Sequence, residues 1–191
     1  MKLRGILEYR KKGNCFATCI VNGLQLLNDK NLINDNLPEG KVFPPQILYD
    51  QDETKENSYA LSYLVKNNYQ VIIVDPNPTQ GNIWGNNLNR VIVEKRNYEK
   101  SDVEKYLKEG RIVIFSTHGT NNQNHAILGF RSKLYDPQSH NLWQSPSSLN
   151  EYIKRAKTFS QGQYLITFRK KMFFDILNSF LASISNFLQH F

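Results

Sequence analysis

The sequence predicts an α+β domain in which one N-terminal helix precedes an antiparallel β-meander. Phe16, Cys19, Ile20, Leu24 and Leu27 recur at helical spacing directly after Asn14, a favoured N-cap residue. Short runs rich in Val, Ile, Leu, Phe and Tyr follow further along, bounded by Gly, Pro, Asn and Asp. One helix at the front with strands in succession behind it is the order of an α+β chain, not of a parallel βαβ array. The 191 residues are 40% hydrophobic, 12% aromatic and 21% charged, which excludes wholesale disorder and fibrous architectures and suits one packed domain.

The first helix starts with Cys15 in its opening turn. Residues 28–57 are polar, include Pro44 and Pro45, and read as a long surface excursion with room for a short helix. A helix is predicted over 58–67 from Tyr59, Leu61, Leu64 and Val65, then a strand over Tyr69–Val74 that ends at Asp75 and Pro76. The Gly- and Asn-rich stretch 77–89 reads as a loop holding Trp84, which either lines a cleft or folds onto the core. Strands are predicted over 90–94 and 111–116, with a helix between them capped by Ser101 and Asp102. A polar loop over 117–124, a hairpin over 125–136, a helix over 147–157 and a last strand over 163–169 complete the domain. Residues 1–170 are thus read as one domain, the one that holds Cys15, and 171–191 as an appended amphipathic helix.

Cys15 carries the chemistry. Backbone N–H groups and the positive end of the macrodipole at a helix N-terminus stabilise a thiolate, the form in which cysteine attacks. A nucleophile also needs a proton acceptor, and the acceptor needs a third group to orient it. His125 and Asp136 can supply both through the hairpin. A four-residue loop over 129–132 sets them directly opposite on one face. A two-residue loop at Arg131 and Ser132 pairs His125 with Gln138 instead and leaves Asp136 diagonal on the same face. A three-residue loop would part them.

Asn14 and Cys15 with Cys19, then the run from Asn124 and His125 to Phe130, then Tyr135, Asp136, Pro137 and Gln138, resemble the papain-like thiol hydrolase superfamily in its compact bacterial form. The likeness is strongest to papain-fold toxin and effector domains, some of which are glutamine deamidases acting on host proteins. The order Cys, His, Asp and a span of roughly a hundred residues between Cys and His suit that superfamily. The resemblance implies a papain-like fold, with Cys15 as nucleophile, His125 as general base then acid, and Asp136 as orienter. It also implies a protein substrate, either deamidated at glutamine or cleaved as by a cysteine protease, and delivery into a host cell without a cleavable signal. Papain carries a Gln shortly before its Cys for the oxyanion hole, whereas Glu8, Tyr9 and Arg10 stand here. The hole is expected from the Cys15 backbone N–H with a further donor such as the Asn14 side chain, and the resemblance, through its D-x-Q element, implies an oxyanion or substrate-binding role for Gln138.

Rival readings bound these assignments. Cys15 could be a small buried hydrophobe, and Cys19, one turn on, is expected in the core. A zinc site from Cys15, Cys19, His118 and His125 lacks the usual ligand pairs, and no metal or organic cofactor is required. His118 lies in the predicted 117–124 loop without an Asp at hairpin spacing, and His140 and His190 read as exposed.

The formal charge of +7 favours acidic partners, but the basic residues are scattered apart from Arg10, Lys11 and Lys12 and Arg169, Lys170 and Lys171, so nucleic acid is not expected as a partner. Two cysteines, a charged N-terminus over 1–12 and no uninterrupted apolar span predict a cytoplasmic chain. In the tail, Phe173, Leu177, Phe180, Leu181, Ile184, Phe187, Leu188 and Phe191 form one apolar helical face. That face suits packing on the domain, self-association or a membrane surface. A non-catalytic module binding a membrane or partner, with Cys15 merely buried, is the reading from a different class.

Overall fold

The computed structural model describes residues 15–27, 53–78, 84–118, 124–131, 133–136, 148–157 and 164–171. They form four α-helices, a short 3-10 helix and six strands. In chain order these are α1 (Cys15–Leu26), α2 (Glu53–Lys66), β1 (Tyr69–Val74), the 3-10 helix (Gly85–Arg90), β2 (Ile92–Glu94) and α3 (Lys100–Lys108). There follow β3 (Ile112–His118), β4 (Asn124–Phe130), β5 (Lys133–Tyr135), α4 (Ser148–Lys157) and β6 (Leu165–Lys170). The appended helix expected over 171–191 and the surface excursion over 28–57 lie almost wholly outside the described residues.

The α+β class holds, but the sheet is mixed rather than an antiparallel meander. Its strand order is β2-β1-β6-β3-β4-β5. Only β3-β4-β5 runs as the expected meander, with Ile114 opposite Leu128 and Leu128 opposite Tyr135. β1 and β2 pair in parallel, Ile72 beside Ile92. Parallel pairing needs a crossover of a dozen or more residues. The stretch read as a plain loop provides it, since its 3-10 helix packs on α2 as the chain returns. β6 inserts between β1 and β3, antiparallel to both. Its Leu165, Ile166, Thr167 and Phe168 are buried, as an internal strand covered on both faces requires.

Period-2 alternation divides the apolar side chains between two helical layers. Val71, Ile73, Ile114, Leu128, Ile166 and Phe168 pack with α1 and α2. Val113, Phe115, Ile127, Leu134 and Leu165 pack with α3 and α4. α1 is buried on every side apart from Gln25 among its residues, so it is a core helix rather than a surface one. Gly23 permits this. A Cβ there would stand 2.7 Å from a methyl of Ile112 and 2.9 Å from the Phe168 ring. The absence of a side chain lets α1 lie close against β3 and β6 and fixes the depth at which Cys15 meets the sheet.

Two local expectations are corrected. α2 begins at Glu53, before the predicted 58–67 span, because the polar first turns carry no apolar period to announce them. α3 is not capped by Ser101. Glu99 holds the N-cap position and its N–H donates to Asp102 Oδ2 at 2.8 Å, so Asp102 acts from the third helical position. α3 closes with Gly110 at φ 71°, its N–H bonded to the Leu107 carbonyl and that of Arg111 to Tyr106.

Candidate active site

Cys15 is the first residue of α1 and is 7% exposed. The residue after it anchors the helix start. Phe16 meets Trp84 and Tyr164 edge to face, with centroids 5.8 and 5.5 Å away, and those two rings meet each other at 5.3 Å. Trp84 donates its indole N–H to Asp75 Oδ2 at 2.8 Å. Of the two places the sequence allowed for Trp84, the structure gives the core: the ring is 1% exposed. Such a cluster ties α1 to the ends of β1 and β6 through rigid rings.

His125 enters from β4, opposite Thr117 of β3, and is 3% exposed. The β4–β5 ladder pairs Phe130 with Lys133, so the connection is the two-residue one at Arg131 and Ser132, with Arg131 in the left-handed region at φ 56°. Of the registers weighed from the sequence, this is the one that leaves Asp136 diagonal to His125. The two side chains still meet, at 2.7 Å between Nε2 and Oδ1. Diagonal neighbours on one face lie within reach of long side chains.

The carboxylate settles the tautomer of the neutral ring. An ionised carboxylate only accepts, so Nε2 carries the hydrogen and Nδ1 keeps a lone pair. Nδ1 is buried and makes no hydrogen bond of full geometry. It is also the nitrogen left for Cys15, which together with Asp136 stabilises the protonated ring. Burial is the largest single influence on His125 and lowers its pKa; the hydrogen bonds and charges of Asp136 and Cys15 outweigh burial and leave it at about 9.

Cys19 lies one turn further into the core, 0% exposed. Burial, and then the charges of Cys15 and Asp136, push its thiol well up. It remains an S–H donor to the Ala126 carbonyl at 3.5 Å. That bond joins α1 to the residue beside His125, so one cysteine registers the helix against the strand on which the other depends.

Asp136 follows the last paired residue of β5 and is held from the opposite layer. Tyr152 of α4 donates its hydroxyl to Asp136 Oδ2 at 3.3 Å. Thr117 donates its hydroxyl to the Tyr152 carbonyl at 2.9 Å. Neither residue carries a sequence signal that points to the site. Tyr152 stands in an ordinary amphipathic run, and only the packing of α4 against β3 brings it to the carboxylate.

The structure therefore brings together Cys15, His125 and Asp136. Asn14 and Gln138, assigned to the oxyanion and the substrate, lie outside the described residues, as do His140, His190 and the tail from Phe173 to Phe191. His118 ends β3 opposite Asn124 rather than lying in a loop, because the ladder with β4 runs further than the polar sequence suggests. Among the described residues no group of three or more His, Cys, Asp or Glu could hold a metal ion, and no helix is long and apolar enough to cross a membrane. Comparison with protein-family models, curated proteins and solved structures finds no significant match.

Proposed function

We propose that the chain is a thiol-dependent hydrolase of amide bonds in protein substrates, working through Cys15, His125 and Asp136. The observation that carries this reading is His125 in a buried setting, bonded to Asp136 through Nε2 and left with Nδ1 for a thiol at a helix N-terminus. A merely buried cysteine needs none of these partners.

In the proposed reaction the proton of Cys15 rests on His125 as a thiolate–imidazolium pair, and the thiolate attacks the carbonyl carbon, forming the C–S bond. The negative charge moves to oxygen in a tetrahedral intermediate, stabilised by N–H donors at the start of α1. His125 then returns the proton to the leaving nitrogen and the C–N bond breaks, releasing ammonia from a glutamine side chain or an amine from a main-chain amide. Water attacks the thioester, His125 takes its proton, and the carboxylic acid departs as the thiol is restored. Asp136 keeps the ring in the reactive tautomer and stabilises the imidazolium throughout. The papain-like resemblance of the Cys, His and Asp segments favours glutamine deamidation, with proteolysis as the alternative on the same machinery.

Unfolded casein as a generic substrate tests the proposal, with ammonia and new amino groups followed separately. Ammonia alone marks deamidation, and new amines mark proteolysis. Either product should vanish in Cys15→Ala and in His125→Ala. Product that persists in Cys15→Ala would overturn the reading.

A further inference from the structure

The Asp136 carboxylate is the least supported part of the constellation by its own backbone. It follows Tyr135, the last residue of the β5 strand, so the β4–β5 ladder does not set its side-chain rotation. The support comes from the other helical layer. Tyr152 is 5% exposed, its ring packs against Phe115 at 6.4 Å and 70°, and its carbonyl takes the Thr117 hydroxyl. Thr117 is in turn the cross-strand partner of His125. From His125 the contacts pass to Asp136, to the Tyr152 hydroxyl, through Tyr152 to its carbonyl, to Thr117, and across the β3–β4 ladder back to His125. The circuit is closed, and each contact in it is made by a buried or half-buried group.

We infer that Tyr152 is a positioning residue: its hydroxyl holds Asp136 in the rotation that presents Oδ1 to His125, and Thr117 locks α4 at the distance this requires. The inference rests on the hydrolase reading for its purpose, but its physical content concerns the His125–Asp136 pair alone. The ionisable groups acting on His125 among the described residues are Asp136, beyond β5, and Cys15 of α1; Tyr152 of α4 reaches the ring through Asp136. A carboxylate with one oxygen tethered has fewer rotations to lose when it binds an imidazolium, so the tether strengthens that bond.

Tyr152→Phe keeps the ring and its packing and removes only the hydroxyl. The expected result is a lower midpoint for the His125 ring proton titration, observed by NMR, than the wild-type value near 9. Cys15 alkylation at neutral pH should slow about fivefold, the effect of a modest hydrogen bond to a charged group. Thr117→Val should move both readouts in the same direction by less. A folded Tyr152→Phe protein with an unchanged or raised His125 titration would overturn the inference, since a packing role alone would not move that titration. The hydrolase reading is tested apart, by Cys15 alkylation in wild type against His125→Ala. If that reading fails while Tyr152→Phe still lowers the His125 titration, Tyr152 remains the residue that positions the pair.

Discussion

Two ion pairs of equal length stand in different parts of this fold and do different work. His125 and Asp136 meet at 2.7 Å with side chains 2% and 15% exposed. Arg96 and Asp102 also meet at 2.7 Å, with Asp102 11% exposed but the guanidinium 43% exposed and Glu94 as a second carboxylate, so here it is the cation that faces water. In the exposed cluster the cation is always charged, water screens the attraction, and the product is a tied-down start for α3. Beneath α4, with little water and a base that can exist charged or neutral, the same separation decides whether a ring carries a proton, and it holds His125 protonated up to about 9. Distance alone does not distinguish a structural pair from a chemical one; burial and the identity of the cation do.

Breaking the buried pair should have the largest effect. Asp136→Asn removes the main support of the protonated ring and leaves burial, which disfavours it, opposed by Cys15 alone, so the His125 midpoint should fall well below about 9. The cost in stability at neutral pH is expected to be on the order of 3 kcal/mol, measured by denaturant unfolding.

The same coupling should appear in the wild type as a dependence of stability on pH. The folded-state pKa of His125 is raised from its unfolded value, so the stabilisation is fully present below about 6.5 and is lost as pH rises through about 9. Melting temperatures taken from pH 6 to 10 should decline across that window, and Asp136→Asn should flatten the decline.

Gly23→Ala comes next. Alanine favours a helix by about 1 kcal/mol, but its methyl would meet buried Ile112 and Phe168 below 3.0 Å. A net loss of about 1–2 kcal/mol is expected, with Cys15 alkylation slowed because α1 is lifted from the sheet. The smallest effect should come from the exposed cluster: Arg96→Ala should cost about 0.5–1 kcal/mol, with less of the loss seen at high salt and no change in Cys15 reactivity.

What could be read from the sequence follows from the range of the forces involved. The start of α1 at Cys15, strand β1 and the β4–β5 hairpin depend on spacing and turn residues within a few positions, and they were legible. The choice between the four- and two-residue connections was not, because both place Asp136 on the face of His125 and only the realised Phe130–Lys133 pairing decides. The insertion of β6 between β1 and β3 joins segments far apart in the chain, and the apolar run from Leu165 to Phe168 announces burial without naming its neighbours. The parallel β1–β2 pair was missed for a related reason: its crossover, with Trp84 buried at the start of the 3-10 helix, is written in Gly and Asn. At the site, Cys15, His125 and Asp136 were legible from residue type and order, whereas Tyr152 and Thr117 belong to a contact between layers that no local pattern encodes.

Of the two thiols of α1, Cys15 acts on His125, whereas Cys19 is influenced by burial, Cys15 and Asp136. The direct measurement is the rate of iodoacetamide alkylation against pH at Cys15 and Cys19, resolved by peptide mass spectrometry, in wild type and in His125→Ala. Cys15 should react far faster than Cys19 at neutral and mildly acid pH, and His125→Ala should remove most of this advantage. Equal, slow reaction at both cysteines, indifferent to His125, would contradict the link between Cys15 and His125.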